Sequence, residues 1–131
     1  LHAFIRHNVD LYNAKQIVLT IGTNNLSSGN SDEEILTGLQ YLIKAIKQRQ
    51  PSASILLSGI YPRRNMEKRI EILNKKIKQI ASPMKAVFVN PGMMLLKPDK
   101  KIDEKLFSDG LHPNEQGYEK LGLYLSKFLH Q

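Results

Sequence analysis

The 131-residue chain contains no cysteine, which excludes disulfides, thiolate nucleophiles and zinc–cysteine sites and leaves the compartment open. Its apolar runs are short, and none approaches the roughly 20 residues that a membrane-crossing helix needs. The opening residues lack a basic n-region followed by an apolar stretch, so no signal-peptide pattern is legible and localisation stays undetermined. The histidines His2, His7, His112 and His130 include no i, i+4 pair, so a zinc site is not expected. No internal repeat, low-complexity tract or linker divides residues 1–131, which read as one domain.

What the chain has in excess is positive charge, with a formal net charge of +7 and a pI near 9.7. That balance raises an anionic partner as a reading. The lysines and arginines nevertheless fall mostly on the polar faces and ends of helical patterns, and no aromatic residues interleave them as a base-stacking platform requires. A solvated surface is the expectation, and nucleic-acid binding is not.

Periodicity gives the architecture. The run 17–21 is β-branched and nearly all apolar and stops at Gly22, which predicts a strand buried on both faces. Ser31-Asp32-Glu33-Glu34 reads as a capping box, and Ile35, Leu39, Leu42, Ile43 and Ile46 continue at helical spacing until Pro51. Further strands are predicted at 55–59 and 86–90. A basic helix is expected over 65–81, with Ile70, Leu73, Ile77 and Ile80 on its inner stripe. Residues 92–108 show no strong periodicity. A last helix is predicted to open near Pro113, a residue suited to a first helical position, with Leu121, Leu125 and Phe128 facing inward. The alternation of strand and helix is that of an α/β fold with a parallel sheet.

In such sheets, sites form beyond the carboxyl ends of the strands. Segments 22–25, 58–63 and 90–92 occupy that rim, and the turn Asp109-Gly110-Leu111-His112 can reach it. A histidine beside a carboxylate can serve as a general base, because the acid sets its tautomer and stabilises the imidazolium. Taken alone, Asp-x-x-His is common, and a polar turn that opens a helix is the better explanation of the same residues. Asn24, placed just after a buried strand, can donate to a developing oxyanion, yet a simple strand-to-loop turn accounts for "GTNN" too.

Together, "IGTNN" after the first strand and "DGLHPNEQGY" before the last helix resemble the third and fifth sequence blocks of the SGNH, or GDSL, hydrolase superfamily. "YPRR" after the second strand, and "NVDLYNAKQIVLTIGTNN", are similar to the branch that includes platelet-activating-factor acetylhydrolase. The resemblance implies a three-layer, flavodoxin-like parallel sheet with helices on both faces. It implies His112 as the base, Asp109 as its orienting acid, Asn24 as an oxyanion-hole donor and Gly22 as the residue permitting the turn before it. Asn25 and Arg63 become candidates for the substrate rim, and the resemblance implies no metal or organic cofactor.

The family's nucleophile, the serine of a Gly-Asp-Ser block, has no match in the sequence. Ser58 lies closest to the rim but precedes Gly59 instead of following Gly-Asp, and the G-x-S-x-G elbow is absent as well. The expectation is therefore a partial domain whose serine and first strands belong to an upstream segment, leaving the strand at 17–21 as a sheet edge unless that segment or a second copy covers it. The leading functional expectation is a serine ester hydrolase acting on a small acyl or acetyl ester or a lysophospholipid, with these residues alone inactive. The alternative is a catalytically inactive domain, or a basic α/β module, binding an acyl, carbohydrate or anionic ligand.

Overall fold

The computed structural model describes residues 16–20 and 29–128. Strands β1 (Gln16–Thr20), β2 (Ser54–Ser58) and β3 (Ala86–Val89) form a parallel sheet in the order β1-β2-β3. Helix α1 (Asp32–Arg49) joins the first two strands and α2 (Glu67–Ala81) the next two. After β3 come two 3-10 turns, Pro91–Leu95 and Glu104–Leu106, and then α3 (Glu115–Ser126). No described helix is long and apolar enough to cross a membrane.

Strand register sorts the side chains into two layers, because successive residues face opposite ways. Ile17 aligns with Ile55 and Ala86, and Leu19 with Leu57 and Phe88. These face α1 and α2, whose Ile35, Leu39, Leu42, Ile43, Ile46, Ile70, Leu73 and Ile77 complete the main core. Each such side chain contributes about 1.5–3 kcal/mol relative to exposure. The other face carries Val18, Leu56 and Val87. A smaller core of Leu95, Ile102, Leu106, Phe107 and Leu121 belongs to the 91–107 interval and α3, with Tyr61 packed against it. Gln16 Nε2 donates to the Phe128 carbonyl at 3.2 Å, tying the end of α3 to the start of β1.

The capping box at Ser31 is present: Ser31 Oγ accepts the Glu34 N–H at 3.1 Å and Glu34 Oε1 accepts the Ser31 N–H at 2.9 Å. Arg69 and Lys76 of α2 reach Asp32 at 3.4 and 3.2 Å, fixing the start of α1 against its neighbour.

Four expectations need adjustment. β1 is not buried on both faces: its burial alternates and Val18 is 36% exposed, because β1 is an outer strand among the described residues, whereas central β2 is buried at 55–58. α2 begins at Glu67, since Asn65 has φ +66° and cannot continue a right-handed helix. Leu125 and Phe128 are half-buried, leaving Leu121 as the buried anchor of α3. Pro113 precedes the last helix instead of opening it. It bridges to Phe107 in an antiparallel pair, and Asn114 is the cap, its side chain accepting the Gly117 N–H at 3.0 Å.

One buried polar residue within α2 was not anticipated. Asn74 sits on the inner face, where its Oδ1 accepts the Ile60 N–H at 2.8 Å and its Nδ2 donates to the Ile60 carbonyl at 3.0 Å. It stands in for the strand partner that the chain loses as it leaves β2. Asn74→Leu removes both bonds and strands two buried backbone groups, for which we expect a loss of about 2–4 kcal/mol. Urea unfolding should show a lower midpoint at unchanged slope; a loss below about 1 kcal/mol would show that the backbone finds other partners.

Candidate active site

The turn from Phe107 to Pro113 is closed at its base by that antiparallel bridge, and by the Ser108 N–H donating to the His112 carbonyl at 3.0 Å. The Ser108 hydroxyl adds a second donor to the same oxygen at 3.2 Å. Inside the turn, Asp109 Oδ1 accepts the N–H of Leu111 at 2.9 Å and of His112 at 2.7 Å. Its other oxygen, Oδ2, lies 2.8 Å from His112 Nδ1. The carboxylate thus holds both the backbone that carries the histidine and the ring itself. Gly110 takes φ +79°, a conformation that a side chain would strain.

These contacts set protonation. Hydrogen bonding to the His112 ring, followed by the N–H groups of His112 and Leu111, holds the Asp109 carboxyl well below the usual carboxylate range. An ionised carboxylate only accepts hydrogen bonds, so Nδ1 must be the donor and the neutral ring carries its proton there. Nε2 is then left as the basic nitrogen. It makes no hydrogen bond among the described residues, and the His112 side chain is 65% exposed.

Arg64 supports the turn from the loop after β2. Its N–H donates to the Gly110 carbonyl at 2.8 Å. Its guanidinium grips Glu104 with both Nε (2.9 Å) and one terminal nitrogen (2.6 Å). Asn114 links the far side, with its N–H donating to the Leu106 carbonyl and its Nδ2 to the Lys105 carbonyl, both at 2.8 Å. Gly117 is required one turn on, because a Cβ there would meet the Leu106 carbonyl.

The structure therefore brings Asp109 and His112 together. It places Arg64 against their turn; Arg63, the rim candidate, is half-buried and its carbonyl accepts the Met66 N–H at 3.1 Å. Gly22, Asn24 and Asn25 lie outside the described residues. Ser58 is fully buried at the end of β2 and its hydroxyl points to the Gly59 carbonyl at 3.4 Å, a setting unlike an exposed nucleophile's. The neighbouring Tyr61 hydroxyl contacts Ser58, and burial pushes its pKa up. A cavity of about 510 Å³ opens elsewhere, beside β3 between α2 and α3, lined by Phe88, Met93, Tyr124 and Phe128 and by neither member of the Asp109–His112 pair.

A family model of the GDSL-like lipase/acylhydrolase family matches residues 2–120. The chain belongs to this family. Human platelet-activating factor acetylhydrolase IB subunit alpha2 is 29% identical over 112 residues, 82% of this chain and 48% of that protein. The chain spans about half the length of the curated relatives it matches. Among solved structures, the Clostridium thermocellum family 3 carbohydrate esterase superposes with a TM-score of 0.71 at 26% identity, covering 95% of this chain and 60% of that one. A GDSL-like lipase from Bacteroides thetaiotaomicron gives a TM-score of 0.83 at 18% identity, over 97% of this chain and 67% of its own, a likeness of fold.

Within this GDSL-family chain, the Asp109 contacts have a pH consequence of definite sign. Its folded value lies below the unfolded one, so its contribution is complete above the ordinary aspartate range and is lost progressively as pH falls from that range through the depressed value. In a carboxyl-carbon NMR titration, Asp109 should stay ionised while aspartates without such hydrogen bonds protonate. A midpoint at or above theirs would contradict the assigned hydrogen bonds.

Proposed function

We propose that these residues carry the acid–base half of a serine ester hydrolase, with His112 as general base, Asp109 as its orienting acid and Asn24 as an oxyanion-hole donor. The observation that carries this reading is the 2.8 Å contact between Asp109 Oδ2 and His112 Nδ1, with Nε2 left unbonded among the described residues. The nucleophile is a serine hydroxyl from a Gly-Asp-Ser block, supplied by polypeptide other than these 131 residues.

In this mechanism Nε2 takes the proton of the serine hydroxyl as its oxygen attacks the acyl carbonyl. The ionised Asp109 stabilises the imidazolium that forms, without taking the proton itself. The carbonyl oxygen gathers negative charge and is met by Asn24 and backbone N–H groups. Collapse expels the alcohol, which receives the proton from Nε2, and water then releases the acyl group by the reverse sequence. The substrate class is a small acyl ester, acetyl esters and lysophospholipids included. The similarity to an acetylhydrolase and to a carbohydrate esterase supports the ester bond as the target.

The test joins these residues to the Gly-Asp-Ser block of the same protein and applies a serine-reactive fluorophosphonate. The joined protein should label and hydrolyse a nitrophenyl acetate, and the 131 residues alone should do neither. His112→Ala should lower turnover by about a thousandfold or more, as for triad members generally. Labelling at Ser58 would move the nucleophile, full activity without His112 would remove it as the base, and a joined protein that neither labels nor hydrolyses would end the reading in favour of a binding domain.

A further inference from the structure

Arg64 is joined to the histidine turn in more ways than an ion pair on the surface requires. A Cβ built on Gly110 would lie 2.5 Å from Arg64 Cζ and 2.8 Å from both Nε and Nη1. The guanidinium therefore occupies the place next to Gly110 where any other residue would put its side chain. From the same residue, the backbone N–H donates to the Gly110 carbonyl at 2.8 Å. On its other edge the guanidinium is held in two places by Glu104, at 2.9 and 2.6 Å. Glu104 itself belongs to the 3-10 turn whose Lys105 and Leu106 carbonyls receive Asn114, the cap of α3.

Two alternative roles fit less well. Side-chain exposures of 52% and 54% make the Arg64–Glu104 pair a surface salt bridge, a class worth only about 0–1 kcal/mol to stability. Recognition of an anionic substrate is also disfavoured, because Glu104 neutralises the charge and occupies two donor edges of the fork. What remains is geometry. A planar group pressed on the peptide at Gly110 limits how that peptide can tilt, and Asp109 precedes it directly.

We propose that Arg64, held by Glu104, is a positioning residue that fixes the orientation of the His112 imidazole by serving as the floor under Gly110. The inference rests on the reading of His112 as the general base. It makes planarity the property that matters. A lysine can keep the pairing to Glu104 but offers a compact ammonium in place of a plane.

The experiment uses the intact protein with nitrogen-15 histidine, the His112 signal being assigned by its loss in His112→Gln. In the unaltered protein the ring should show the Nδ1-protonated form and a downfield Nδ1 proton. Arg64→Ala and Arg64→Lys should both lose that proton signal and mix the tautomers, and should lower kcat roughly tenfold to a hundredfold with KM nearly unchanged, as for a small misplacement of a catalytic group. Glu104→Gln, which keeps the guanidinium in place, should give a smaller effect in the same direction. If Arg64→Ala does not fold, the lysine and Glu104 variants carry the test. Unaltered His112 resonances in Arg64→Lys would overturn the proposal. The ring signals do not depend on turnover, so a failure of the general-base reading, seen as full activity in His112→Ala, is distinguishable from a failure of the Arg64 inference.

Discussion

Among the described residues, the histidine turn depends on where the chain goes as it leaves β2, and Asn74 sets that course. A central parallel strand has neighbours on both sides until its last residue, after which its backbone groups need new partners. Ile60 is fully buried, so water cannot supply them, and the two bonds from Asn74 do. Gly59 belongs to the same arrangement, since a Cβ there would crowd Asn74 Oδ1 at 3.0 Å and Phe88 at 3.1 Å. With Ile60 pinned, Pro62 is buried and Arg64 arrives at Gly110. A buried amide in the middle of a helix is thus connected, through five residues of loop, to the orientation of a histidine on another segment.

The histidine turn solves a different problem, because both of its chemical residues are exposed. Burial cannot immobilise them, and an exposed charge pair alone contributes little order. Order comes instead from the number of bonds made by one carboxylate. Asp109 uses one oxygen for two backbone N–H groups and the other for the ring, so moving the ring disturbs the turn and moving the turn disturbs the ring. The same bonds keep Asp109 ionised, and ionisation in turn directs the neutral ring's proton to Nδ1. Orientation and tautomer therefore have a common cause, which an asparagine of the same shape would not reproduce.

Much of this was legible in the residues, and the exceptions have physical reasons. The alternation of short β-branched runs with stripes at helical spacing was enough for the α/β order, because each pattern is local and each is bounded by Gly, Pro or a capping box. The Asp109–His112 pairing was legible as a motif shared with a family. Arg64 was not, because its approach to Gly110 is set by the path of the chain after β2, which no local pattern carries. The positive φ of Asn65 likewise came from that path. Pro113 stands before the helix although a proline favours a first helical position, because the stronger signal is Asn114, a good cap followed by the close-packed Gly117. Asn74 was invisible to periodicity, since a polar residue beside an apolar stripe reads as the edge of the stripe.

The two attachments of the turn come from opposite directions in the fold. Asn114 ties its trailing end to the Lys105 and Leu106 carbonyls, and Arg64 ties its apex to the loop after β2. Glu104 bonds to Arg64 and immediately precedes Lys105, so the two attachments share one short 3-10 turn. That turn is anchored by Leu106 in the smaller core, with Leu121 of α3 beside it. The apolar packing of 91–107 against α3 is thus what gives the exposed polar site a fixed reference. A substitution in that small core that spares every polar contact would still act at His112, through the position of Glu104, before it acted on the main core between α1, α2 and the sheet.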